Sequence, residues 1–370
     1  MQLHLTALLA ALEPRCRRIE EAIAANGDAE LQRARDEAQG FVDIVRVRAQ
    51  ALAGHPALSD PALHGSALGL YLGLALRLDG AERLVVPALE RFDAGDRQLS
   101  RLLAELLEQS GWTAWSPAAT TFSTEYFSAA SRFRVLYVPA GEHRRLLRVP
   151  DLCHEVGHCL MVDHEAELGG DLDADLSHWS GTEQIKPGAT HPPEFYDEVF
   201  QLWSEAWREE FACDVVGTFL SGRSYGRQHL ALCMSIPTAP YDHAPSHPSD
   251  DMRAWVIERT LRRLGQDGVA DASRADWDAY VRASGAEPSI AASAGYQDRY
   301  PLQFREAVVE RVLDGLRGLG LTPFDEARPP GPGYLPGLVD QAWETFLASP
   351  GAYDDWERQT IKDLYRTWGL

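Results

Sequence analysis

Residues 151–160 read Asp-Leu-Cys-His-Glu-Val-Gly-His-Cys-Leu, which sets His154, Glu155 and His158 in the pattern His-Glu-x-x-His. On a helix, positions i and i+4 share a face about one turn apart, so both imidazoles reach a single zinc ion. Glu155 then stands beside the water whose pKa the zinc lowers. A carboxylate there takes the water's proton and passes it to a leaving amine. The chemistry that suits this pattern is metal-assisted hydrolysis. Histidine is also concentrated around it: eight of the chain's 12 fall between His154 and His247.

A catalytic zinc keeps three protein ligands and one open position, so a third ligand is needed. Two residues qualify. Glu210 lies in Trp207-Arg-Glu-Glu-Phe-Ala-Cys-Asp214, where Asp214, one turn later, is spaced to hydrogen-bond a ligating histidine and fix its tautomer. Glu209 has no Asp at that spacing. His164 completes His-Glu-x-x-His-x-x-Met-x-x-His, close to the metzincin spacing, but Met161 stands where a glycine would turn the chain back. Glu210 is the preferred ligand.

Other residues invite chemistry and have plainer readings. Cys153, Cys159 and Cys213 adjoin the candidate ligands in sequence, but helical neighbours point to different faces, so they read as small core residues. Asp171, Asp173 and Asp175 alternate as in calcium loops, yet Leu176 occupies the glycine position, and a solvated acidic loop is expected. His191-Pro-Pro193 reads as a helix entry. Tyr225, just beyond the Glu210 helix, is a candidate donor to a tetrahedral oxyanion.

These residues need a scaffold. Apolar residues at three- and four-residue spacing predict helices over about 2–24, 28–53, 67–78 and 99–107, an antiparallel bundle. Alternation over 132–138 predicts a strand that could pair with Thr120–Phe127 and form the sheet edge on which an extended peptide lies. Pro150 then opens the His-Glu-x-x-His helix. The stretch 163–188 reads as a polar connection, a long helix runs from Pro193 to about Leu220 and ends at Ser221-Gly222, and further helices cover 250–265 and 302–318. Arg328–Gly337 reads as a linker before a final helical stretch. The expected fold is mainly α with α+β character: a zincin-like core with a small sheet over 116–265, between a helical bundle over 1–115 and a helical region over 266–370.

Composition narrows the partners. A formal net charge of −20 over 370 residues repels phosphate backbones and anionic lipid, so no nucleic-acid partner is expected. Five scattered cysteines do not form the framework of a small secreted domain, and the N-terminus reads as an amphipathic helix without the basic start of a signal peptide. No window offers about 18 uninterrupted apolar residues, so no membrane insertion is expected, and a cytoplasmic location follows.

Three blocks together resemble the gluzincin peptidases: His154-Glu-Val-Gly-His158, Glu210-Phe-Ala-Cys-Asp214, and Ser246-His-Pro-Ser-Asp-Asp-Met-Arg253. The resemblance, which covers roughly residues 130–255, is to the CAAX prenyl endopeptidase and HtpX group and the soluble minigluzincins. It implies His154, His158 and Glu210 as ligands of Zn2+, Glu155 as general base, Asp214 behind a ligand, and His247 and Arg253 as substrate or oxyanion contacts. The membrane relatives carry several spanning helices and this chain none, so bilayer-bound prenylated substrates are not implied. The expected function is a zinc-dependent endopeptidase acting on a protein or peptide substrate. The alternative is a partner-binding or regulatory module that keeps the fold and uses its helical flanks to hold a protein.

Overall fold

The computed structural model describes residues 1–123, 126–142, 144–236 and 239–369. It divides into two units, Met1–Arg101 with Ser116–His143, and Leu102–Trp115 with Arg144–Leu370. The fold is mainly α with one small sheet.

The first unit holds α1 (Gln2–Ala10), α2 (Leu12–Ala25), α3 (Gln32–Ala53), α4 (His64–Gly80), α5 (Val86–Arg91) and the beginning of α6 (Ala94–Gln109). The single helix expected over 2–24 is interrupted at Ala11. Pro14 has no N–H for the Ala10 carbonyl, and the chain restarts as α2 with that proline in its first turn. Apolar faces of these helices close over Leu5, Ile19, Val42 and Leu78, and the sheet contributes Val135 and Tyr137 to the same core.

The sheet has the order β1 (Ala118–Ser123), β3 (Val135–Pro139), β2 (Ser128–Ala130). β1 runs parallel to β3 with Ala118 opposite Val135, and β2 runs antiparallel with Ser128 opposite Tyr137. This corrects the expected edge strand: the most regular strand is the central one, and Val135–Val138 are buried on both faces. It also begins later than expected, because Ser131–Phe133 form a 3-10 turn and Arg134 adopts a left-handed φ of 51°.

The second unit contains α7 (Val149–Asp163), α8 (Glu165–Leu168), α9 (Leu172–Ile185), α10 (Pro193–Leu202), α11 (Arg208–Ser221), α12 (Arg223–Ser235) and α13 (Asp250–Arg263). Then come α14 (Asp267–Ser284), α15 (Pro288–Ala291), α16 (Ala294–Arg299), α17 (Leu302–Gly318), α18 (Leu335–Ala348) and α19 (Pro350–Thr367). The polar connection expected over 163–188 is largely helical. Leu168, Leu172 and Leu176 are buried at four-residue spacing and give that acidic stretch an apolar face. Asp173 and Asp175 accordingly lie in the first turn of α9, paired with Arg208 at 3.3 Å and Arg311 at 2.7 Å.

Helix α11 is central to this unit. With α10 and a π-helical turn over Trp203–Trp207 it makes one continuous helix, Pro193–Ser221, and every residue from Glu210 to Ser221 is buried. The helix stops at Gly222, whose φ of 58° favours glycine. Leu264, Gly265 and Gln266 separate α13 from α14. All five cysteines are buried and unbridged. Among the described residues no helix is long and apolar enough to cross a membrane.

Candidate metal centre

Two buried helices build the site. Pro150 and Asp151 open α7, and His154, Glu155 and His158 follow with 8%, 5% and intermediate exposure. Gly157 decides how near α11 can come. A Cβ at that position would lie 2.8 Å from the Cα of Cys213, so only glycine lets the helices touch there. That approach brings Glu210, in the first turn of α11, against both histidines.

The Glu210 carboxylate lies between the two rings. Its Oε2 is 3.4 Å from His154 Nε2, and its Oε1 is 3.6 Å from His158 Nε2. Each ring is held from behind by its other nitrogen. His154 Nδ1 shares its proton between Asp214 Oδ1 at 3.1 Å and the Tyr225 hydroxyl oxygen at 2.9 Å. His158 Nδ1 donates to Glu209 Oε1 at 2.7 Å. With Nδ1 protonated on both rings, the lone pairs left for a metal are on Nε2, the atoms that converge on Glu210.

Behind His154 the charges are closed. Asp214 is fully buried, and Arg253 donates to it from Nε at 2.9 Å and Nη2 at 2.7 Å. The Tyr225 hydroxyl donates to the same carboxylate. Burial would raise the Asp214 carboxyl, but the Arg253 guanidinium outweighs it and holds the acid far below the usual carboxylate range. Burial likewise pushes the Tyr225 hydroxyl well up.

In front, the charges are open. Burial alone would raise Glu210, yet His154 holds it down at about 2, so it is ionised. His154 is drawn down by burial, but Asp214 and Glu210 prevail and push it up to about 10 in the metal-free chain. Two carboxylates held low in pKa thus flank the His154 ring. Glu155 is raised by burial, and its Oε2, like Glu210 Oε2, is buried with no hydrogen-bond partner. A His-His-Glu donor set with two orphaned carboxylate oxygens fits a divalent ion of the zinc type. A fourth donor also lies close: Cys213 Sγ is within 4.8 Å of ligand atoms of both histidines. It is fully buried beside Gly157, and burial pushes its thiol well up.

The sequence-expected residues thus divide. His154, Glu155, His158, Glu210 and Asp214 come together. Arg253 and Tyr225, expected as substrate or oxyanion contacts, both engage Asp214 on the Nδ1 side of His154. His247 is half exposed, with Nε2 3.7 Å from Glu210 Oε2, and stands on the open side. His164 follows the end of α7 and packs edge-on against Trp112 at 5.5 Å; Met161 stays helical, so no turn brings it back. Glu209 is the residue the sequence reading passed over. Its only signal was adjacency: on a helix the residue before Glu210 faces a different neighbour, here His158.

Compared with family models, curated proteins and solved structures, the chain finds no match in any of the three.

Proposed function

We propose that this chain is a zinc-type metallopeptidase whose ion is held by His154, His158 and Glu210. The observation that carries the reading is the orphaned, buried Glu155 Oε2 beside two imidazoles whose Nδ1 atoms are engaged and whose Nε2 atoms face one ionised carboxylate. A purely structural metal site has no use for a free carboxylate in that place. The resemblance of the three sequence blocks to gluzincins points the same way.

The bound metal supplies Lewis acidity, polarising a carbonyl and lowering the pKa of a water to near neutrality. Glu155 Oε2 accepts a proton from the attacking water and delivers it to the departing amine nitrogen. His247 Nε2, on the open side, donates to the oxygen that gains charge. Asp214, with Arg253 and Tyr225, keeps the His154 proton on Nδ1, and Glu209 does the same for His158. The buried free cysteines suit a reducing compartment, in keeping with a cytoplasmic location.

A second reading, a regulatory module that holds a protein partner, draws on the first unit. Ile44, Val47, Leu70, Leu72 and Leu76 leave apolar side chains of α3 and α4 at the surface, with Leu76 68% exposed.

A fluorogenic peptide-library digest tests the proposal. Cleavage that chelator abolishes and zinc restores is expected, and His247→Gln lowers kcat by roughly 10²-fold, the usual cost of an oxyanion donor. Uncut libraries with metal-loaded protein would favour the second reading.

A further inference from the structure

A second group of metal-ligand side chains lies apart from the first. His229 and Cys233, one turn apart on α12, meet Asp250, the first residue of α13, and one ligand atom from each lies within 4.8 Å of the other two. Cys233 Sγ is 3.8 Å from His229 Nε2, close to the spacing of two ligands on one tetrahedral ion. His229 is 4% exposed and Cys233 4%, so this is a built interior and not a chance surface meeting. Its walls come from α14: the Trp277 ring stacks on His229 at 5.6 Å, and the Tyr280 hydroxyl donates to the Cys233 carbonyl at 3.0 Å.

We propose that His229, Cys233 and Asp250 form a second divalent-metal site of the zinc class, with a closing and not a catalytic role. The donors themselves select the class: thiolate with imidazole suits zinc and cobalt, and a lone carboxylate does not make a calcium or magnesium cage. His229 Nε2 now donates to the Asp250 carbonyl oxygen at 3.1 Å. An ion at Nε2 requires the neutral ring to carry its proton on Nδ1 instead, and it displaces the Cys233 thiol proton to solvent.

The position gives the site its use. Asp250 stands three residues after His247 and three before Arg253. An ion shared by α12 and α13 would pin the segment that presents His247 to the open side and Arg253 to Asp214. Tyr225 lies on the same α12, so one clamp would steady both side chains that hold Asp214.

The test is a cobalt titration of the metal-free full chain. Thiolate ligation gives a near-ultraviolet charge-transfer band, and the His-His-Glu set of the first site contains no sulfur. The band is expected in wild type, retained in the His154→Ala/His158→Ala double variant and in Cys213→Ser, and lost in Cys233→Ser. His229→Gln, which keeps the thiol, should weaken it at least tenfold in cobalt affinity. No band in cobalt-saturated wild-type protein overturns the proposal whatever the variants do. So does a band that survives Cys233→Ser and disappears in Cys213→Ser, which would put the sulfur in the first site. Loss of hydrolysis in the double variant with the band intact would show that the two sites stand or fall separately.

Discussion

The two histidines of the candidate centre are supported in opposite ways. Behind His154 lies a dry, closed network in which Asp214 is fully buried and Arg253 and Tyr225 satisfy its oxygens. Behind His158 stands Glu209, the one partner of its Nδ1 among the described residues, with a side chain 42% exposed. The same contact, a carboxylate on Nδ1, is thus built once as part of the core and once at the surface. The difference separates an arm bound into the core from one that stands at the surface. A buried charge pair cannot lose one member cheaply, whereas an exposed carboxylate can be changed with little effect on folding.

The largest effect should follow Asp214→Ala, which strands Arg253 in the interior. Destabilisation of about 3–5 kcal/mol is expected in urea unfolding, with loss of bound metal. A stable, metal-loaded variant would remove the asymmetry. Next comes Gly157→Ala, whose methyl group meets the α11 backbone and forces both arms out of register. Here the expected cost is about 2 kcal/mol, read as a lowered Tm. Tyr225→Phe removes one hydrogen bond to a buried charge, which should cost about 1.5 kcal/mol and weaken metal binding roughly tenfold in chelator competition. Glu209→Gln should leave stability within about 0.5 kcal/mol of wild type while still weakening the metal roughly tenfold. That split between stability and affinity is the signature of the surface arm; equal losses in both would contradict it.

How far the sequence reveals this arrangement depends on distance along the chain. His154, Glu155 and His158 belong to one helical face, and Glu210 with Asp214 to another, so period 3.6 and residue chemistry were enough to find them. Helices α13 and α17 were legible for the same reason. The supports of Asp214 were not, because Tyr225 and Arg253 reach it from separate helices across turns that local periodicity does not encode. Read alone each suits a substrate contact; in the structure both meet Asp214. The sheet failed differently: β3 alternates as an edge strand would, but both of its sides are covered, and only the partners of a strand reveal that. In α8 and α9 the many acidic residues masked three spaced leucines, and a helix was taken for a loop.

The central claim is that His154, His158 and Glu210 hold the metal while Cys213 only packs beside them. Elemental analysis of zinc, in a Cys233→Ser background that silences the second cluster, tests it most directly. The account predicts one zinc per chain in that background, retained in Cys213→Ser and in His164→Ala and lost in Glu210→Ala. Zinc kept by Glu210→Ala and lost with Cys213→Ser would contradict it, replacing the glutamate ligand with a thiolate.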